Sequence, residues 1–317
     1  MKTVVLDGYT TNPGDLTWDS FEKFGELTIY DRTPPHLVAE RINDAQIVVT
    51  NKALITKEVI NKCPNIKFIT TLATGYNAVD VSYAKKLGIP VSNVPEYSTK
   101  SVAQLVFSYI LHHFNKVAEL NNSVKNGDWC NSEDFCYWVT QLTALKGLTI
   151  GIVGYGAIGR EVAKIAEAFS MNVIYCNHRN KPYPNSKHTF VSFEQLLEES
   201  DIISLHCPLA DDTKNLINND TISKMKKGCL LINTSRGPVI NEHDLASALN
   251  NDKIYAAVDV VSVEPMQPDN PLLAARNIII TPHIGWAPKT VRENLLEIVQ
   301  KNIEMFLKGT PQNVVNK

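Results

Sequence analysis

The chain has 317 residues, of which 44% are hydrophobic and 20% are charged, and its formal net charge is -2 at pH 7. This length favours about two domains, and the near-neutral charge gives no electrostatic reason to expect nucleic acid or an anionic membrane as a partner. No apolar run approaches the roughly 18 residues of a membrane span, and Asp7 interrupts the first apolar run. We therefore expect a cytoplasmic protein.

Short apolar segments alternate with helix-like stretches along the chain, which predicts an α/β fold with parallel sheets. The first series contains apolar strands at residues 3–6, 45–50, 66–71 and 89–94. A second series runs from residue 148 to about residue 285. The last helical segment, residues 291–307, has no strand of its own, so we expect it to pack back on the first domain. The second domain would then be inserted into a discontinuous first domain.

A long helix is predicted between the two series, from residue 98 to about residue 126, because apolar residues recur there at three- and four-residue intervals. Gly127 ends the pattern. This helix is longer and more apolar than the core of one domain requires. A buried hinge helix would explain this excess. The eight histidines and six cysteines show no metal-ligand spacing, so no metal site is predicted.

The sharpest motif is Gly154-Tyr155-Gly156-Ala157-Ile158-Gly159, which lies between an apolar strand and an amphipathic helix. This strand-loop-helix context is what a dinucleotide-binding motif requires. Gly154 permits the tight turn, Gly156 lets the backbone approach a pyrophosphate, and Gly159 lets helix and strand pack closely. The helix start at Ala157 and Ile158 offers free N–H groups to the anion. The alternative interpretation is a glycine-rich structural turn.

The ribose position departs from the usual NAD pattern. An NAD site usually has Asp or Glu about 20 residues beyond the glycines, whereas this chain has Asn177, followed by His178, Arg179 and Lys181. A carboxylate would repel a 2′-phosphate, and Arg179 or His178 could bind one. The sequence therefore leaves two cofactors open, NAD(H) and NADP(H), with acceptance of NADPH as our hypothesis and a solvated basic turn as the alternative.

Polar residues follow three of the predicted strands in the second series. They are Arg236, Glu264 and His283. Reduction of a 2-keto acid needs a cation for the carboxylate and a proton donor for the developing alkoxide. Arg236 offers a planar fork for the former, His283 can exchange a proton near neutral pH, and Glu264 could pair with the imidazole. Individually, each has a structural alternative: an ion-paired arginine, a surface glutamate and a core histidine.

Taken together, the glycine motif, Asn233-Thr234-Ser235-Arg236-Gly237, Asp259 through Glu264-Pro265 and Thr281-Pro282-His283-Ile284-Gly285 resemble the D-isomer-specific 2-hydroxyacid dehydrogenases over essentially the whole chain. The resemblance implies two Rossmann-like parallel-sheet domains: a substrate domain of residues 1–97 and 287–317, and an NAD(P)-binding domain of residues 98–286. It implies that Arg236, Glu264 and His283 are catalytic. It also implies a cofactor cleft lined by Val102, Cys207, Pro208, Thr213, Thr234, Asp259 and Gly285, with Asp259 at the nicotinamide carboxamide.

The same resemblance implies a substrate loop at Thr74-Gly75-Tyr76, whose backbone amides hold the substrate carboxylate together with Arg236 and His283. Trp286-Ala287 and the segment 131–138 resemble the glycerate dehydrogenase (hydroxypyruvate reductase) branch. In that branch Trp138 would approach the substrate pocket of a dimer partner, with plain interface packing as the alternative. The family resemblance also implies that the long apolar segment from residue 98 helps to form a homodimer, instead of serving as a buried hinge helix.

Three activities therefore remain possible. The first is interconversion of hydroxypyruvate and D-glycerate, with glyoxylate as a slower substrate. The second is another acid of the same family, such as lactate or phosphoglycerate. The third is a dinucleotide-sensing protein similar to the corepressors that share this fold.

Overall fold

The computed structural model describes residues 1–177 and 180–317. The strands are, in chain order, β1 (Lys2–Val5), β2 (Glu26–Ile29), β3 (Ile47–Thr50), β4 (Phe68–Thr71), β5 (Val91–Ser92), β6 (Thr149–Val153), β7 (Asn172–Cys176), β8 (Thr189–Phe190), β9 (Ile202–Leu205), β10 (Cys229–Asn233), β11 (Ile254–Val258) and β12 (Ile278–Ile280). The α-helices are α1 (Val38–Ile42), α2 (Lys57–Lys62), α3 (Val81–Lys86), α4 (Thr99–Asn115), α5 (Val117–Lys125), α6 (Ala157–Ala168), α7 (Phe193–Glu199), α8 (Asn219–Ser223), α9 (Glu242–Asn250) and α10 (Lys289–Leu307).

The chain divides into two compact units. The first unit is Met1–Ser98 with Trp286–Lys317, and the second unit is Thr99–Gly285. The first unit has a parallel sheet of order β2-β1-β3-β4-β5. The second unit has a parallel sheet of order β12-β11-β10-β9-β6-β7-β8. The predicted fold, two parallel-sheet α/β domains with one inserted into the other, is confirmed.

Both faces of the first sheet are buried, as a parallel sheet requires. Val4 of β1 packs in one apolar cluster with Ile42 of α1. Its neighbour Val5 points the other way and joins a cluster that contains Leu295 and Val299 of α10. The C-terminal helix therefore packs on the sheet of the first unit, as the sequence predicted.

The second sheet is also covered on both faces. Ile152 of β6 lies in a buried cluster with Val106 of α4 and Val162 of α6. Val153, the next residue, belongs to the opposite cluster, which includes Leu196 of α7 and Leu245 of α9. β6 is an interior strand that pairs with β7 and β9, and the glycine motif begins at its carboxyl end.

The prediction of one uninterrupted helix over residues 98–126 is wrong. The segment forms α4 and α5, separated by Lys116, which adopts a left-handed backbone conformation with φ of 51°. The Lys116 ammonium lies 5.8 Å from the ring centroid of Tyr255 and 3.6 Å from Glu119. Apolar residues continue at helical spacing across this break, so periodicity alone did not reveal it.

Strand β2 was not predicted, because it is an edge strand whose residues Glu26–Ile29 are mostly exposed and show no apolar run. Pairing with β1, not composition, makes this segment a strand. In the described part of the chain, no helix is both long and apolar enough to cross a lipid bilayer.

Candidate active site

The glycine motif forms the turn from β6 into α6, and its three glycines meet different surroundings. A Cβ added at Gly154, whose φ is 97°, would lie 2.6 Å from the backbone nitrogen of Cys207. A Cβ at Gly159 would lie 2.4 Å from the carbonyl oxygen of Gly154. A Cβ at Gly156 would meet no heavy atom of the described residues within 4 Å. Packing within the chain therefore explains Gly154 and Gly159, whereas the space at Gly156 is left for a ligand.

The N-terminus of α6 opens onto that space. Gly156 is its N-cap and supplies no side-chain acceptor within the described chain. The first N–H groups of the helix, at Ala157, Ile158 and Gly159, therefore remain available to an anion, and the helix dipole favours one there. An open glycine next to uncapped amides fits the pyrophosphate of a dinucleotide.

Asn177 directly follows β7, at the position expected to contact the adenosine ribose. Its Nδ2 donates to the carbonyl oxygen of Lys181 at 2.8 Å. Its Oδ1 is buried and has no hydrogen-bond partner among residues 1–177 and 180–317. An unsatisfied buried acceptor is costly, so it suits a ligand donor such as a ribose hydroxyl. His178 and Arg179, the predicted contacts of a 2′-phosphate, lie outside the described residues.

Two further polar atoms at strand ends lack partners in the described part of the chain. They are Nδ1 of His206, after β9, and Oγ1 of Thr234, after β10. Burial lowers the pKa of His206 to about 4, so its ring is neutral at physiological pH. The other ring nitrogen, Nε2, lies 2.8 Å from the Ser204 hydroxyl. Unsatisfied polar atoms therefore recur along the carboxyl edge of this sheet, where ligands of doubly wound folds bind.

The structure brings His283 and Glu264 together. Nδ1 of His283 lies 2.8 Å from Oε2 of Glu264, and the two side chains are 29% and 32% exposed. His283 has a φ of 56°, a left-handed conformation that is uncommon outside glycine and is often found at functional sites. The pair is accessible to a substrate and has the geometry of an acid-base group with its orienting carboxylate.

Arg236 is exposed on the loop after β10, and its guanidinium donates to the carbonyl oxygen of Ser235 at 2.7 Å. Among the described residues it forms no ion pair, so the alternative of an ion-paired arginine is not supported. Asn233 holds this loop, since its buried amide donates to the Arg236 carbonyl at 2.9 Å. A Cβ at Gly237 would lie 1.9 Å from Val261, so the loops after β10 and β11 pack closely.

The other predicted cofactor positions lie on the same edge of the second unit. Cys207 and Pro208 begin a loop that Thr213 closes, since the Thr213 hydroxyl donates to the Pro208 carbonyl at 2.7 Å. Val102, near the start of α4, lies 3.3 Å from the Cβ position of Gly285. Asp259 is 3% exposed and accepts hydrogen bonds from the backbone of Ile284 and Gly285, each at 2.8 Å.

The predicted substrate residues lie elsewhere in the chain. Thr74, Gly75 and Tyr76 follow β4 in the first unit, where the Thr74 hydroxyl donates to the carbonyl oxygen of Val94 at 2.7 Å. Tyr76 is 40% exposed. Trp138 belongs to the second unit and is 67% exposed.

Comparison with known proteins gives a consistent result. Residues 107–285 match the family model described as D-isomer specific 2-hydroxyacid dehydrogenase, NAD binding domain. The chain is 50% identical over 322 aligned residues to a hydroxypyruvate reductase of Blautia hydrogenotrophica, with 100% of both chains covered. The chain belongs to the D-isomer specific 2-hydroxyacid dehydrogenases.

Solved structures agree with this family. A D-lactate dehydrogenase of Aquifex aeolicus, complexed with NAD and lactic acid, is 28% identical with a TM-score of 0.85, and the match covers 100% of this chain and 99% of that one. An acyclic imino acid reductase in complex with NADPH and D-arginine is 31% identical with a TM-score of 0.87, covering 99% and 100%. The dehydrogenase is thus an oxidoreductase that uses NAD(H) or NADP(H), as the sequence predicted.

Sequence reasoning missed several residues that build this site in the dehydrogenase. Asn233 was read only as part of a motif, and Tyr109 only as an apolar position of a helix. Thr281 was noted only as the residue before Pro282-His283. Each acts through its polar atom: Asn233 bonds within its own loop, whereas the partners of Tyr109 and Thr281 come from other segments of the chain. A hydroxyl on an otherwise apolar helix face was the signal that could have identified Tyr109.

Proposed function

We propose that this dehydrogenase reduces hydroxypyruvate to D-glycerate with NADH or NADPH, reduces glyoxylate more slowly, and catalyses the reverse reactions. The observation that carries the proposal is the accessible His283–Glu264 pair, 2.8 Å apart, on the loops that follow β11 and β12. The full-length 50% identity to a hydroxypyruvate reductase supports the choice of acid.

His283 is the proposed acid-base residue. With Nδ1 directed at Glu264, the other ring nitrogen, Nε2, is left to donate a proton to the substrate oxygen during reduction and to accept it during oxidation. Glu264 fixes the ring plane, because its carboxylate accepts the Nδ1–H bond.

Arg236 is proposed to bind the substrate carboxylate. Its exposed guanidinium has donors left after the single bond to the Ser235 carbonyl, and the planar fork matches a carboxylate. The backbone amides of the loop Thr74, Gly75 and Tyr76 are proposed to bind the same carboxylate, which assigns the substrate role to residues 1–97 and 287–317 and the cofactor role to residues 98–286.

The cofactor, when bound, supplies the hydride for the keto carbon. The amides at Ala157, Ile158 and Gly159 would hold its pyrophosphate, and Asn177 would contact the adenosine ribose. Asp259 would accept a hydrogen bond from its carboxamide. These residues bind and orient, whereas His283 alone moves a proton.

The second part of the proposal is a homodimer. Side chains of the segment from α5 to residue 142 present large apolar groups to solvent, with Phe135 at 89%, Trp138 at 67% and Val117 at 64% exposed. Exposed apolar patches of this kind mark protein interfaces. Light scattering is expected to give twice the chain mass of 35.3 kDa, and a monomeric mass contradicts the dimer.

Because the cysteines are free thiols, we also propose a cytoplasmic location.

The activity is tested by initial rates of NADH and NADPH oxidation, each with hydroxypyruvate, glyoxylate, pyruvate and phosphohydroxypyruvate. The fastest turnover is expected with hydroxypyruvate. Faster turnover of pyruvate or phosphohydroxypyruvate would assign another acid of the family, and no turnover with any of the four would favour either a different 2-keto acid or a dinucleotide-sensing protein.

The role of His283 is tested by the His283→Gln variant. We expect kcat for hydroxypyruvate to fall about 10²–10⁴-fold, because general acid catalysis is lost. Dinucleotide affinity should stay unchanged. A variant with a near-normal rate would refute the role.

A further inference from the structure

Two hydroxyl groups and a carboxylate form a hydrogen-bonded chain next to the loop that carries His283. The Tyr109 hydroxyl, from α4, contacts the Thr281 hydroxyl, which directly follows β12. Oγ1 of Thr281 in turn lies 2.5 Å from Oδ1 of Asp259, which directly follows β11. Tyr109 and Asp259 are each 3% exposed, and Thr281 between them is half-buried.

The direction of the two hydrogen bonds follows from the chemistry of the groups. A carboxylate only accepts, so the Thr281 hydroxyl donates to Asp259. Its oxygen must then accept the proton of the Tyr109 hydroxyl. Burial raises the pKa of Tyr109 to about 12, which keeps this hydroxyl protonated throughout the physiological pH range. Tyr109 is therefore a permanent donor at the end of the chain.

The bonds to Asp259 leave one defined acceptor position. Oδ1 receives the Thr281 hydroxyl and the Ile284 N–H, and Oδ2 receives the Gly285 N–H. A carboxylate offers about four lone-pair positions, so one remains on Oδ2. The three donors come from residues on both sides of His283 in the chain. One carboxylate thus fixes the loop that holds His283 in its left-handed conformation.

We propose that Tyr109 is a positioning residue for the dehydrogenase reaction, acting through Thr281 and Asp259. Its hydroxyl orients the Thr281 hydroxyl toward Asp259, which directs the remaining Oδ2 position at the nicotinamide carboxamide and holds the loop of His283. The inference rests on the proposed roles of Asp259 and His283. The ring of Tyr109 is buried with the apolar face of α4, and its hydroxyl adds the directional hydrogen bond to Thr281.

The test compares two ligands that differ only in the nicotinamide. In the Tyr109→Phe variant, the Kd for NADH is expected to rise about tenfold, the loss of a hydrogen bond to a buried group. The Kd for ADP-ribose, which lacks nicotinamide, should stay unchanged, and kcat should fall while the KM for the acid changes little. If the wild type prefers NADPH, the matched pair is NADPH and 2′-phospho-ADP-ribose.

Two further variants separate positioning from packing. Thr281→Val should reproduce the weaker NADH binding of Tyr109→Phe, whereas Thr281→Ser keeps the hydroxyl and should bind NADH as the wild type does. The double variant Tyr109→Phe/Thr281→Val should bind NADH no more weakly than either single variant. Tyr255→Phe removes a tyrosine hydroxyl elsewhere in the same unit and serves as the matched control, with no change expected in either Kd.

Equal weakening of NADH and ADP-ribose in Tyr109→Phe would mean plain packing and would overturn the proposal. Wild-type affinity for both ligands together with wild-type kcat would overturn it as well. Because the binding measurements need no substrate, they give an answer even when hydroxypyruvate is not the acid that the wild type turns over.

Discussion

The two units use the same type of sheet but end their first strands differently. In a doubly wound sheet, ligands bind at the carboxyl ends of the strands where the connections change side. In the second unit this point lies between β6 and β9, and in the first unit between β1 and β3. After β6 the chain places the open glycine Gly156 and an uncapped helix. After β1 it places Asp7.

Asp7 closes the corresponding position of the first unit. Its carboxylate accepts hydrogen bonds from the backbone N–H groups of Asn51 and Ala53, both at 2.8 Å, and from that of Lys52. A cluster of backbone amides that would attract an anion is thus already occupied by the chain's own anion. Strand order therefore creates an anion-binding position, while one side chain decides whether that position stays available for a ligand.

The glycine motif gives the largest expected effects. Gly154→Ala should destabilise the fold by about 3 kcal/mol, because it combines a positive φ with a backbone clash. Gly156→Ala should leave the melting temperature unchanged and weaken NADH binding about tenfold or more, because its methyl group enters space meant for the pyrophosphate. Thermal denaturation measures the loss of stability in Gly154→Ala, and NADH titration measures the loss of affinity in Gly156→Ala. Normal NADH binding by Gly156→Ala would place the pyrophosphate elsewhere.

Asp7→Asn tests whether the Asp7 carboxylate holds the backbone amides of residues 51–53 in the first unit. Its amide group presents fewer acceptors to three backbone N–H groups, so we expect a loss of about 2 kcal/mol in the free energy of unfolding. NADH affinity should not change. Urea denaturation measures the former and fluorescence titration the latter, with the exposed Asp19→Asn as the matched control. Unaltered stability in Asp7→Asn would mean that the carboxylate does not hold this loop.

Asn177→Asp tests whether residue 177 lies next to the adenosine ribose of the cofactor. A carboxylate at the end of β7 should lower catalytic efficiency with NADPH about tenfold relative to NADH, because it repels a 2′-phosphate while still accepting a ribose hydroxyl bond. The ratio of kcat/KM values for the two cofactors measures this. An unchanged ratio would show that the ribose does not reach residue 177.

The last expected effect is a pH dependence to which two histidines of the second unit contribute. Burial lowers the pKa of His113 and of His206 from 6.5 to about 4. The unfolded chain therefore binds protons that the folded unit does not, so stability falls as pH drops from about 6.5 toward 4 and is fully present above that window. Melting temperatures at pH 7.5 and pH 5 should differ less in His113→Gln than in the wild type. An equal difference would remove His113 from this dependence.

Much of the candidate site could be predicted from the sequence, because its residues follow the predicted strands in chain order. The glycine motif, the segment around Arg236 and the His283 loop each directly follow an apolar strand, and local spacing places them at one sheet edge. Residues whose role depends on a distant partner could not be predicted. Tyr109 read as one more apolar position, and Asp7 read only as the end of an apolar run.

The sequence by itself determined the family, the α/β architecture, the motif at Gly154–Gly159 and the chemistry available at His283, since each depends on residue type and local periodicity. Only the tertiary structure decided that α4 ends before Lys116, that Glu26–Ile29 is a strand, and that Asp7 occupies the amides of residues 51–53. These outcomes depend on contacts between segments far apart in the chain, and such contacts leave no periodic pattern in the sequence.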